Sequence, residues 1–253
     1  MRHFVFDDRI HRALDEVESW LGYEIKAIPM PDCHRRDAIC GMGKSSETKE
    51  FELWYIEEEP QSQASYFHEL AHVIQWIDGD PSVCTIHSTP LGLAPSEPVK
   101  KAWGLVQHIP VWRLVKEAGF DESETNNPCP EVLARLILRN ELYACVPSEF
   151  ITRFQAVELA FGLLCPAAPD RRSNLRGVAK RMIPEALELA DEIVLSFEKQ
   201  PQLSPQGSLT ALVDLLHLLG VPTESLTVSF LSKTCPGFRS RILAVLNQTT
   251  SGY

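Results

Sequence analysis

The chain has 253 residues, 44 % of them hydrophobic and 23 % charged, with a formal net charge of −10 and a pI near 5.3. That composition belongs to a globular protein long enough to bury a sizeable core, as one large domain or two small ones. The negative balance argues against broad binding to nucleic acid or to a membrane surface, and no apolar run approaches the roughly 20 residues that cross a bilayer. The stretch from Met1 to Asp8 turns acidic too early for a secretory signal. Seven cysteines (Cys33, Cys40, Cys84, Cys129, Cys145, Cys165 and Cys235) are odd in number and scattered, so reduced thiols and a cytoplasmic location are expected. Cys33-His34 with Cys40 is a faint metal pattern, more loosely spaced than zinc sites are.

In chain order, Asp7 or Asp8 caps a predicted first helix with Ile10, Ala13, Leu14, Val17 and Leu21 on one face and Gly22 as its stop. Glu24 to Ile28 reads as a short strand, Pro29 to Asp32 as a turn and Asp37 to Cys40 as a second strand. Gly41 to Ser46 reads as a loop. Ala38 to Ser45 loosely matches a phosphate-binding loop, but Ala38 stands where glycine is needed, and a polar run and a strand follow where a helix should start. Residues 50–56 alternate polar and apolar as a half-buried strand does. An amphipathic helix follows, with Phe67, Leu70, Ala71, Ile74 and Ile77 at helical spacing, and Asp78-Gly79-Asp80-Pro81 ends it.

Residues 78–130 form a long insertion punctuated by Pro81, Pro90, Pro95 and Pro98. Loops of such length are often functional, and this one is placed to gate a cleft. Within it a helix is expected over about 98–119, with Pro110 as a break point. From Glu131 the pattern is helical: about 131–145, 148–164 and one long helix over 170–199. Residues 200–207 read as a linker, followed by three short helices at 208–219, 222–232 and 236–247.

The chemistry sits in Tyr66-Phe67-His68-Glu69-Leu70-Ala71-His72. His-Glu-x-x-His on a helix puts His68 and His72 one turn apart on one face, so both imidazoles can bind one Zn²⁺. Glu69, about 100° round the helix, is displaced from the metal but suited to take a proton from a water on it. A catalytic zinc takes three protein ligands and keeps one position open. Glu141, in Arg139-Asn140-Glu141-Leu142-Tyr143-Ala144, lies mid-helix among apolar neighbours, where a carboxylate needs a partner such as a cation. Glu131 heads the same helix, a position acidic residues favour for dipole reasons alone. His87 and His108 are the histidine candidates, and His108 has no spacing pattern behind it. Tyr66, Tyr143 and His108 are candidates for stabilising an oxyanion.

The motif helix after a strand, with Asn140-Glu141-x-x-Ala144 downstream, resembles the gluzincins, and residues 1–145 resemble the ImmA/IrrE kind of metallopeptidase. The resemblance implies a zincin-like domain with a small sheet over 1–165; the helical pattern beyond it adds an all-helical C-terminal region over 166–253, so the expected fold is α+β and mostly helical. It implies Zn²⁺ held by His68, His72 and Glu141, with Glu69 as general base, and hydrolysis of a protein or peptide substrate by a selective regulatory protease. The match departs in the 69-residue step from His72 to Glu141 and in the missing Ala-Asn-x-Phe-Ala text after the glutamate. A second resemblance, to the SprT-like zincins, rests on His87 and implies DNA-bound protein substrates, although His87-Ser88 stands where those proteins carry His-Gly. The run Arg171, Arg172, Arg176, Lys180 and Arg181 would serve that role or would simply be a solvated helix face. A third reading is a non-catalytic zinc-binding interaction protein, whose metal site would be closed by four ligands.

Overall fold

The computed structural model describes residues 6–29, 40–45, 47–55, 62–81, 83–86, 96–121, 148–166, 169–199, 204–223 and 226–247. The fold is α+β and mostly helical. Its contacts group the chain into two units: residues 1–79, 111–127 and 232–253, and residues 80–110 and 128–231.

In the first unit, α1 (Asp8–Leu21) buries Ile10, Ala13, Leu14 and Val17. Asp7 caps it by accepting from the Arg9 N–H at 2.8 Å. The Arg9 guanidinium grips the same carboxylate at 2.9 Å and holds the Asp7 carboxyl below the usual carboxylate range. Gly22 ends the helix in the left-handed region (φ 81°), its N–H reaching the Glu18 carbonyl. The sheet has the order β1-β3-β2, from β1 (Lys26–Pro29), β2 (Cys40–Lys44) and β3 (Phe51–Tyr55). β3 runs parallel to β1 and antiparallel to β2, with Met42 opposite Leu53. Its alternation is real: Phe51 and Leu53 are buried.

Of the strand expected at Asp37 to Cys40, residues 37–39 lie outside the described residues and Cys40 opens β2; the glycine-rich stretch expected as a loop is the strand itself. Pairing with β3 supplies the backbone hydrogen bonds that glycine's weak strand propensity does not forbid. Gly43 is needed there, because a Cβ at that position would stand 2.5 Å from the Trp54 ring. With residues 40–44 paired in a sheet, the phosphate-loop pattern has no loop to act from.

α2 (Gln63–Asp78) follows β3. The last helix, α8 (Phe238–Leu246), returns to pack on α1 and α2, burying Phe238, Ile242 and Leu246. Phe238 lies 6.1 Å from Trp20 between ring centres. The Cys235 N–H donates to the Ile77 carbonyl at 2.7 Å, and Arg239 pairs with Asp78 at 3.4 Å. The C-terminal end of α2 is therefore tied down by the end of the chain.

α3 (Ser96–Glu117) is shared: residues 96–110 group with the second unit and 111–117 with the first. Pro110 does not break it. Ile109, Val111 and Trp112 are all buried around that point, and their packing outweighs the one backbone bond a proline removes. Phe120, just past α3, rests on Phe67 of α2 with ring centres 4.9 Å apart, and the Arg9 guanidinium lies over it.

The second unit holds α4 (Ser148–Leu164), α5 (Pro169–Met182), α6 (Pro184–Lys199), α7 (Pro205–Leu218) and a two-stranded antiparallel sheet of β4 (Val83–Ile86) with β5 (Leu226–Ser229). The single helix expected over 170–199 is two, because Pro184 forbids the α conformation its predecessor would need. The linker expected at 200–207 contains a helix start: Ser204 caps α7 through the Gly207 N–H, and Pro205 occupies the first turn. The helix expected at 222–232 is instead β5, whose Thr-Val centre suits a strand once β4 supplies the partner. Ser208 donates to Asp80 at 3.1 Å, both fully buried. The expected helix over 131–145 lies outside the described residues. No helix among the described residues is long and apolar enough to cross a membrane.

Candidate metal centre

Ser62 starts α2 by accepting from the Ser65 N–H at 3.1 Å, and Gly79 closes it at φ 115°. The helix is not the one-sided amphipathic element the spacing suggests. Every residue from Ala64 to Ile77 is buried except Glu69, which is partly exposed. A helix buried all round carries polar side chains in its middle only where something needs them.

His68 and His72 are 5 % and 7 % exposed, with ring centres 5.0 Å apart and planes at 81°. His72 also stacks on Trp76 at 6.0 Å, and Trp76 stacks on Phe51 of β3 at 5.4 Å. This aromatic ladder fixes the orientation of the second imidazole. The metal-binding nitrogens of the two rings lie within 4.8 Å of each other. Two nitrogens bound tetrahedrally to one zinc stand about 3.3 Å apart, given bonds of about 2.05 Å, so a small ring rotation satisfies an ion. The donor set fits zinc.

Burial pushes the Glu69 carboxyl up to about 8, against a partial offset from the Met42 backbone N–H that donates to it.

No family model, curated protein or solved structure matches the chain. The reading of the site rests on its own chemistry.

His108 sits on α3 with Nδ1 2.7 Å from the Gly104 carbonyl and its ring edge-on to Phe161 at 5.3 Å. Burial pulls its pKa down to about 4, so the ring is neutral at pH 7. A neutral ring at that distance from a carbonyl carries its proton on Nδ1, which leaves Nε2 with a lone pair. Metal-binding histidines are commonly oriented in this way, by donating the other ring N–H to a carbonyl. Sequence spacing gave no reason to prefer His108; its helical placement four residues after Gly104 is what prepares the ring. Tyr66 is buried edge-on against Phe6 at 4.8 Å. Glu141, Glu131, His87 and Tyr143 lie outside the described residues. In the basic run, Arg176 pairs with Asp191 of α6 at 2.8 Å while Arg171, Lys180 and Arg181 are exposed on α5, the pattern of a solvated helix face.

Proposed function

We propose that this protein is a zinc-dependent metallopeptidase with a zincin-like core, acting on selected protein or peptide substrates. The observation that carries the reading is the pair of buried histidines one turn apart on α2, with the carboxyl of Glu69 next to them in the same helix. His68 and His72 are two zinc ligands. For the third, Glu141 is the choice that the family resemblance favours. His108 is the choice that ring chemistry favours, since it is neutral and oriented through Gly104.

Zinc bound here would polarise a scissile carbonyl and acidify a water. Glu69 accepts the proton of the attacking water and returns it to the leaving amine. The buried surroundings of α2 keep bulk water away and strengthen each charge interaction during the reaction. The test is zinc content and peptide hydrolysis of wild type beside Glu69→Gln, Glu141→Ala, His108→Ala and His87→Ala. Glu69→Gln is expected to keep zinc and lose hydrolysis. The third-ligand variant is expected to lose both. A wild type that binds no zinc after reconstitution ends the peptidase reading. Zinc lost only in His87→Ala shifts it to the SprT-like alternative.

A further inference from the structure

Within the second unit, α6 and α7 leave a groove between them that encloses about 230 Å³. Ile193 and Phe197 of α6 and Ala211 and Leu215 of α7 form its apolar floor, each at most 9 % exposed. Glu192 and Asp214 stand exposed at its rim. Arg176 takes up Asp191 of the same helix, but neither rim carboxylate has an ion pair among the described residues. Glu188 lies one turn before Glu192, a like-charge spacing that costs a helix stability unless a cation comes between them. The mouth therefore suits a cation and the floor an apolar side chain. Small-molecule sites usually begin at ~300 Å³, above this volume. A cavity of ~150 Å³ already admits benzene, and a methionine side chain has fewer heavy atoms than benzene. The same unit carries the complement. α5 ends at Met182, which is 59 % exposed, more than any other large hydrophobic side chain among the described residues. Lys180 and Arg181 precede it, both exposed. Cations suit a helix C-terminus for dipole reasons, but that does not account for an apolar tip in water. α6 begins at Pro184, so this tip adjoins the N-terminal end of the helix that walls the groove.

We propose that two copies of this chain associate through their second units: Met182 of each copy enters the groove between α6 and α7 of the other, and Lys180 and Arg181 meet the other copy's Glu192 and Asp214. Knob and groove sit on one unit, so a two-fold axis makes the contact twice with the same patch on both copies. An apolar anchor seated in a pocket concentrates binding energy. The charges around it fix orientation and speed encounter, and salt screens them. None of these residues belongs to the metal centre, so the association stands or falls apart from the peptidase reading.

Sedimentation equilibrium of the full chain over a wide concentration range tests this. Wild type is expected to show a monomer–dimer equilibrium that weakens with added salt. Met182→Asp is expected to raise the dissociation constant roughly 10-fold or more. Two charge reversals carry the decisive comparison: Lys180→Glu with Arg181→Glu reverses the tip, and Glu192→Lys with Asp214→Lys reverses the rim. Each double variant alone brings like charges together in both contacts and is expected to stay monomeric. An equimolar mixture of the two restores opposite charges in both contacts and is expected to dimerise within about 3-fold of the wild-type dissociation constant. All four charged positions are exposed, so the urea midpoint of each variant is expected to match wild type. A wild type that stays monomeric overturns the inference and leaves the groove to a basic amphipathic segment of another protein. A dimer indifferent to all three variants overturns it as well, as does a mixture of the folded charge reversals that stays monomeric. Assembly that grows beyond the dimer overturns the two-fold arrangement.

Discussion

Replacing Glu69 with Gln is expected to stabilise the zinc-free protein while abolishing hydrolysis, and the size of the gain is set by pH. The carboxyl's pKa rises from 4.5 to about 8 on folding. A folded pKa above the unfolded one means that the folded state holds a proton the unfolded state releases. The favourable contribution is fully present below pH 4.5 and is lost as pH rises toward 8. At pH 7 the lost stability is 2.5 pH units at 1.36 kcal/mol each, about 3 kcal/mol, and the carboxyl's partial exposure draws it toward 2. Gln has nearly the same shape and does not titrate. Urea unfolding of the two EDTA-treated proteins at pH 4.5, 6, 7 and 8 measures the difference. The gain of Glu69→Gln over wild type is expected to grow by about 1.4 kcal/mol per pH unit across the middle of that range. A difference that stays flat with pH refutes the argument that burial tunes this carboxyl. In the zinc-loaded proteins the same substitution is expected to lower hydrolysis by roughly 10²- to 10⁴-fold, the usual worth of a general base. Stability gained where activity is lost is the mark of a site strained for function.

His68→Ala and His72→Ala are each expected to lose bound zinc, measured by elemental analysis after dialysis, because each removes one of at most three protein ligands. His108 titrates in the opposite sense to Glu69. Its folded pKa of about 4 lies below the ordinary 6.5, so its contribution is present above pH 6.5 and is lost as pH falls toward 4. His108→Gln is expected to flatten that acid arm of the zinc-free stability profile by up to about 3 kcal/mol, and an unchanged arm contradicts the burial of a neutral ring. Gly43→Ala is expected to destabilise by about 1–3 kcal/mol and to shift the tryptophan near-ultraviolet signal, since its Cβ would meet the Trp54 ring at 2.5 Å. Phe238→Ala is expected to cost about 3–5 kcal/mol by thermal or urea unfolding, because Phe238 is fully buried on α1 and α2.

The local half of this protein is legible without its structure. α1 is bounded by Asp7 and Gly22, and α2 ends at Gly79, because caps act on the backbone within one turn. The shared face of His68 and His72 follows from helix geometry alone. β3 is legible for the same kind of reason, an alternation that one buried face imposes. β2 and β5 are not legible in the sequence, because a strand's hydrogen bonds belong to its partner. Cys40–Lys44 and Leu226–Ser229 are strands only because β3, and β4 about 140 residues earlier in the chain, lie beside them. Pro184 and Pro110 show the same division, since one ends a helix and the other passes through α3. The surroundings of each proline decide which. At the site, residue identities and spacing name a metal pair and a base. Burial of α2 on every side and the raised carboxyl of Glu69 come only with tertiary structure. Desolvation and backbone hydrogen bonds depend on which distant segments exclude the water, and no window of sequence contains both sides of that contact.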